Sequence, residues 1–134
     1  MIRPGGLETD QLIETADSIS AASVTRVEVL CALARLAKGG SVTRAAAATA
    51  IRGVEEDFIS FWNIPITTAV VVRACTLGQQ HGLRGYDAVQ LGAAATWRTF
   101  IGAEVQFASF DRELWVAAQA EGFSVWPTDL SLFK

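Results

Sequence analysis

Three acidic residues stand where an apolar or a helix-capping residue would be ordinary. Glu28 follows Val24 by four positions and, on a helical period, lies on or beside an apolar stripe. Asp87 opens the otherwise apolar stretch YDAVQLGAAA, and Asp111 comes directly after the uncharged run VQFASF. A carboxylate that directly follows a parallel strand lies where open α/β sheets bind ligands, so Asp111 is a candidate for binding or chemistry.

Each acid also has an ordinary structural explanation. Glu28 can extend off the edge of the stripe or pair with Arg26 or Arg35. Asp87 can be a first-turn acid that the helix dipole stabilises. Asp111 can be the N-cap of the helix that follows it. Taken singly, the three acids favour these explanations.

The pattern along the chain predicts the order helix, strand, two helices, strand, two helices, strand, helix, strand. Apolar residues at helical spacing and glycines after the last turns set the helix bounds. Strands that alternate with helices imply parallel pairing and right-handed crossovers, hence an α/β domain. The predicted helices are 6–16, 23–38, 41–62, 68–80, 84–100 and 111–121, and the predicted strands are 18–22, 63–67, 105–110 and 123–126.

Composition narrows the class of protein. The 134 residues suffice for one domain, predicted to span 1–134, and half of them are apolar. A net charge of −3 argues against binding nucleic acid by bulk positive charge, although not against reaching a phosphate through bound cations. The single His, His81, rules out a histidine metal cluster and is expected to cap a helix end.

The two cysteines and the hydropathy indicate the compartment. Cys31 and Cys75 lie in apolar helical segments without a metal or redox spacing, and we expect them to be buried, reduced thiols of a cytoplasmic protein. No apolar run reaches 18 residues, and the start of the chain has no secretory h-region. We therefore expect neither a membrane span nor export.

Three segments together resemble the PIN-domain ribonucleases, and in detail the toxins of bacterial VapBC-type toxin–antitoxin pairs. They are TRVE at 25–28, LRGYDAVQL at 83–91 and FASFDREL at 107–114. The resemblance spans nearly the whole chain, from about Leu7 to Trp126, and includes the order of strands and helices. It implies a three-layer α/β/α fold with a short parallel sheet.

The resemblance also implies a function, that of a metal-dependent endoribonuclease. Glu28, Asp87 and Asp111 would be the catalytic acids that bind Mg²⁺ or Mn²⁺, because hard divalent cations take oxygen ligands. The cation would activate a water and stabilise charge on the attacked phosphate. Ser109 would be a nearby polar group on the same strand face. Arg84 and Arg112 could contact RNA phosphates, with solvent exposure or pairing with the acids as the equal alternative.

One part of the family pattern is absent from the sequence. The family begins with a central strand ending in Asp-x-Ser or Asp-x-Thr, whereas here MIRPGG leads straight into the first helix. Three acids would replace four, which puts activity in question. The open central position would be filled by dimerisation, by segment exchange or by local rearrangement; alternatively, the natural start lies upstream.

Two other functions compete with the ribonuclease. One is an inactive PIN-like module that binds the cognate antitoxin, or itself, through an apolar groove. The other is an unrelated small α/β protein in which the acids are caps and surface groups. The groove candidates, for which core packing is an equal alternative, are Leu7, Leu12, Ile13, Leu30, Leu33 and Leu36.

Overall fold

The computed structural model describes residues 6–133, with side chains for residues 8–132. Within these residues it contains six α-helices and four short strands. A final 3₁₀ helix follows at Leu130–Phe133. The helices are α1 Gly6–Thr15, α2 Ser23–Lys38, α3 Arg44–Ser60, α4 Thr68–His81, α5 Gly85–Ile101 and α6 Arg112–Ala120, and the strands are β1 Ser20–Ala22, β2 Trp62–Ile64, β3 Gln106–Ala108 and β4 Ser124–Trp126.

The predicted order of elements is confirmed, and the strands and the third helix are shorter than predicted. Local capping explains where the helices begin and end. The side chains of Thr43, Thr67 and Asp111 each accept a hydrogen bond from the backbone N–H three residues on, at the starts of α3, α4 and α6. At the other end of α4, Gly82 adopts the left-handed conformation with φ 65°. These signals act within one turn of chain, so a sequence displays them directly.

The strands pair in parallel, as expected from their alternation with helices. In the described residues, β1 pairs with β2 and β3 pairs with β4, giving two separate two-stranded sheets. The fold is therefore mostly helical with short parallel strand pairs, which is a small α/β arrangement. No strand within residues 6–133 joins the two pairs into one sheet.

The chain divides into two compact units. The first contains the residues up to Asp17 and those from Thr67 onward, and the second is the continuous stretch Ser18–Ile66. In the second unit, α2 and α3 pack against each other and β1 pairs with β2. Its buried apolar residues are Ala22, Ala47, Phe58 and Ile64.

The first unit has the larger core, which is centred on α5. Leu91 is fully buried there, and the side chains of α4, α6 and β4 pack around it. Helices α4 and α5 approach so closely that a Cβ added to Gly92 would lie 3.0 Å from the backbone nitrogen of Ala74. Small residues at this contact are what permit that approach. The main core cluster is Leu77, Leu91, Ala95, Leu114, Ala117, Ala118, Phe123 and Val125.

Helix α2 is more exposed than the apolar spacing of its residues predicts. None of its residues is buried, and Val27 is 62% exposed. The prediction that Cys31 and Cys75 are buried is wrong: both thiols are free, but both are exposed. Periodicity identifies residues that share a helix face, whereas the depth of their burial depends on what packs against that face.

Among the described residues, no helix combines the length and the apolar character needed to cross a bilayer.

Candidate acidic site

Asp111 sits between the end of β3 and the start of α6. Its Oδ1 accepts a hydrogen bond from the Leu114 N–H at 2.9 Å, so it is the N-cap that its ordinary explanation predicts. The side chain is nevertheless exposed. Capping occupies one carboxylate oxygen and fixes the side-chain rotamer, which leaves the group suited to accept a second partner.

Ser109 holds this turn in place from two sides. Its Oγ accepts a hydrogen bond from the Asp111 N–H at 3.0 Å. Its own N–H donates to the Trp126 carbonyl at 3.0 Å and so extends the pairing of β3 with β4. The expected closeness of Ser109 to Asp111 is thus present, through the backbone of Asp111.

Asp87 lies in the first turn of α5, where the positive end of the helix dipole stabilises a carboxylate. It is half-buried and precedes Ala88, which is buried in the core of the first unit. Asp87 is therefore both the first-turn acid of its ordinary explanation and a partly inward-facing one. Both Asp87 and Asp111 belong to the first unit.

Glu28 lies on α2, in the unit formed by Ser18–Ile66. It is exposed, so it does not lie under the apolar stripe. Its proposed partner Arg26 instead forms an ion pair with Glu55 of α3. Glu28 therefore reaches solvent from the edge of α2, as the first part of its ordinary explanation states.

The two candidate RNA-contacting arginines are exposed at helix starts. Arg84 is the residue before α5, and Arg112 is the first residue of α6. In the part of the chain that the structure describes, neither takes part in an ion pair. Of the equal alternative of solvent exposure or pairing with the acids, the described side chains thus adopt solvent exposure.

The donor chemistry of the three acids suits a hard divalent cation, because each offers carboxylate oxygens at an exposed or half-buried position. Within residues 8–132, however, no three His, Cys, Asp or Glu side chains are grouped closely enough to hold a metal ion. The described side chains thus provide suitable ligands without a preassembled cluster.

His81 has a role that the sequence did not indicate. Its Nε2 lies 2.8 Å from the Glu121 Oε2, and both side chains are mostly buried. His81 lies in the last turn of α4, the helix end where it was expected, and Gly82 after it is the C-cap; the imidazole also joins the end of α4 to the end of α6. The partners are 40 residues apart, so no local pattern reveals the contact.

Two carboxylates outside the proposed site are also fixed by hydroxyl groups. Glu104 accepts a hydrogen bond from the Ser124 hydroxyl at 2.6 Å. Asp129 Oδ1 accepts from both the hydroxyl and the N–H of Ser131, at 2.6 and 3.0 Å. The two bonds from Ser131, the one from its hydroxyl first, favour the charged form of Asp129 and lower the pKa of that carboxyl below its ordinary value of 3.8.

In comparisons with known proteins, no family model matches this chain, and no curated protein matches it in sequence. Of the features that the chain shares with the PIN-domain pattern, the structure confirms the order of helices and strands.

Proposed function

We propose that this protein is a metal-dependent endoribonuclease of the PIN-like class, acting as the toxin of a toxin–antitoxin pair. The observation that supports this most is the position of Asp111. It follows the carboxyl end of a parallel strand and begins a helix, which is where open α/β sheets bind ligands. Asp87, at the N-terminus of α5 in the same unit, is the second acid of the proposed site.

The proposed ligands of Mg²⁺ or Mn²⁺ in the first unit are the carboxylates of Asp87 and Asp111. That Glu28 of the second unit is the third metal-binding acid stays a prediction from the sequence resemblance. When bound, the cation would activate a water and neutralise charge on the phosphate. The protein's own contribution is positional. The Leu114 N–H fixes Asp111 through Oδ1, and the Ser109 hydroxyl fixes the backbone from which Asp111 projects.

The RNA backbone would be held by Arg84 and Arg112. Both guanidinium groups are exposed, and neither is committed to an ion pair among the described side chains. Each is next to the start of a helix that carries a proposed acid. A protein with a net charge of −3 would thus contact phosphates locally rather than by overall attraction.

The test is cleavage of RNA by the purified protein with Mg²⁺ or Mn²⁺. Asp87→Asn, Asp111→Asn and Glu28→Gln should each lower the rate roughly a hundredfold or more, since each removes a metal-binding charge. Glu113→Gln is the matched control, because Glu113 is an exposed first-turn acid of α6 outside the proposed site. Cleavage that survives a chelator, or that falls equally in the control, contradicts the proposal.

A second candidate is an inactive PIN-like module that binds an antitoxin or a second copy of itself. It is favoured by large exposed apolar side chains in the Ser18–Ile66 unit, since such residues mark protein contacts when they form a patch. These residues are Val27 at 62%, Ile59 at 85% and Trp62 at 60% exposure. The earlier groove candidates Leu12, Ile13, Leu30, Leu33 and Leu36 are half-buried, whereas the Leu7 side chain lies outside the described residues.

The two candidate functions predict different results for complex formation and for RNA cleavage. The module predicts a stable complex, with an antitoxin or as a homodimer or strand-exchanged oligomer, and no cleavage with either cation. Sedimentation of the protein alone, followed by the cleavage assay, separates them. A monomer that cleaves RNA contradicts the module, and an inactive dimer contradicts the ribonuclease.

A further inference from the structure

Helix α2 carries a row of small apolar side chains that face solvent. Val27, Cys31 and Ala34 are all exposed, Val27 by 62%. They follow one another at steps of four and three residues, which is the spacing of neighbours on one helix face. The half-buried Leu33 and Leu36 lie on the opposite side of the helix. We call Val27, Cys31 and Ala34 the α2 stripe, a second apolar face apart from the half-buried one.

Residues of opposite charge flank the two ends of the α2 stripe. Glu28 and Arg35 are seven residues apart, or about two helical turns, so both lie on the same flank of the stripe. Both side chains are exposed, and among the side chains of residues 8–132 neither forms an ion pair. The neighbouring Arg26 is by contrast paired with Glu55 of α3. The face is therefore acidic at one end, apolar in the middle and basic at the other end.

This order of charges is complementary to itself when the helix is reversed. A two-fold axis near Cys31 keeps the same flank on the same side of the contact, so Glu28 of each copy lies beside Arg35 of the other. In a parallel pair each of these residues would meet its own equivalent, which is repulsive. A partner helix with charges of one sign would be repelled at one end. The charges therefore select a second copy of this chain in antiparallel orientation.

The size of the α2 stripe limits the strength of such a contact. Small side chains such as Cys31 and Ala34 permit helix axes to approach to about 8–10 Å. The helix has 16 residues and is therefore about 24 Å long, so the contact extends over a few turns. Interfaces of this size are at the low end of those that proteins use. We expect a dissociation constant on the order of micromolar.

We propose that α2 is the interface of an antiparallel homodimer. The two α2 stripes pack across the axis near Cys31, and Glu28 and Arg35 form two symmetry-related ion pairs. The inference rests on the second candidate function and deepens it, because it names the partner and the face that binds it. It gives Glu28 an ion-pair partner in place of a metal ion. Dimerisation and RNA cleavage are measured separately, so the failure of one is distinguishable from the failure of the other.

Charge reversal in the full chain tests the orientation, with sedimentation equilibrium at up to roughly 200 μM, well above a micromolar dissociation constant. Glu28→Lys and Arg35→Glu each turn two attractive pairs into two repulsive ones, and each should weaken the dimer roughly tenfold. The two changes together restore opposite charges across the axis and should return the constant to within about threefold of the parent. Arg44→Glu is the matched control, because it reverses the charge of an exposed residue of α3. It should leave the dimer unchanged.

Cys31 tests the position of the axis independently. In a Cys75→Ser chain, copper-catalysed oxidation should link two copies through Cys31, since a thiol beside the axis can reach the Cα separation of about 4.4–6.8 Å that a disulfide needs. The Cys31→Ser chain is the control, because it keeps the other exposed thiol, Cys75. It should remain unlinked under the same conditions.

Four results overturn the proposal. One is a parent chain that stays monomeric, which leaves the α2 stripe to a partner of another sequence. The others are a dimer that both single charge reversals leave intact, a combined variant that does not regain the dimer, and a covalent link that forms through Cys75 rather than Cys31. A dimer that fails only the charge and thiol tests still allows the second candidate function through another face.

Discussion

Replacing Gly92 with alanine should destabilise the protein, although the same change in most helices is stabilising. A Cβ at Gly92 would lie 3.0 Å from the Cβ and the backbone nitrogen of Ala74 and 3.1 Å from its Cα. Two of these three atoms belong to the backbone of α4, which can give way only if the whole helix moves. Gly85, the first residue of α5, has no such neighbour within 4 Å.

The expected magnitude follows from two opposing effects. Alanine in place of glycine within a helix stabilises by about 0.5–1 kcal/mol, while overpacking a close contact costs about 1–3 kcal/mol. Gly92→Ala should therefore lower the free energy of unfolding by about 1–2 kcal/mol. Gly85→Ala should raise it by up to about 1 kcal/mol, since only the helix preference changes.

Urea denaturation of the parent chain and both variants measures this. With a typical slope of about 2 kcal/mol per molar, the midpoint for Gly92→Ala should fall by roughly 0.5–1 M at an unchanged slope. Because both residues lie on α5, both changes report on the same unit of the chain. A Gly92→Ala variant that is as stable as Gly85→Ala would refute the close approach of α4 and α5.

Three further predictions test individual contacts. Asp111→Ala should destabilise by about 1 kcal/mol through loss of the α6 cap, whereas Asp111→Asn, which still caps, should stay within about 0.5 kcal/mol by urea denaturation; equal losses would contradict the cap. Ser131→Ala should raise the pKa of Asp129 toward 3.8 in an NMR titration, because it removes the Ser131 hydroxyl, which is the larger cause that favours the charged form; an unchanged pKa would contradict this. Cys31 and Cys75 should both react with a disulfide reagent in the native protein, since both are exposed; a thiol that reacts only after unfolding would contradict its exposure.

The elements were predictable because their signals are local. Thr67 and Gly82 mark the two ends of α4 within a turn of chain, and Asp111 marks the start of α6. The uncharged run before Asp111 indicated β3 in the same way, although the paired strand is shorter than the run. Parallel pairing was expected from the alternation of strands with helices, because parallel strands need a long crossover connection, which is usually helical.

The depth of burial was not predictable in this way. Cys31 and Glu28 lie on an apolar-looking helix whose exposure depends on which other elements cover it, and that information is spread over the chain. The contact of His81 with Glu121 has the same origin, since its partners are distant in sequence. For the proposed site, the sequence indicated the acids at the starts of α5 and α6. It also offered the N-cap of α6 as the ordinary role of Asp111.

The two strand pairs differ in the length of chain that lies between the two strands of each pair. Ser20 and Trp62, paired in β1 and β2, are more than twice as far apart along the chain as Gln106 and Ser124, paired in β3 and β4. Because each doubling of a loop costs about 0.6 kcal/mol in chain entropy, the pair β3–β4 closes more readily by at least about that amount. Pairing of β3 with β4 is thus favoured before pairing of β1 with β2 when the full-length chain refolds. A nascent chain would reverse that order, because residues 20–64 are synthesised before residues 106–126.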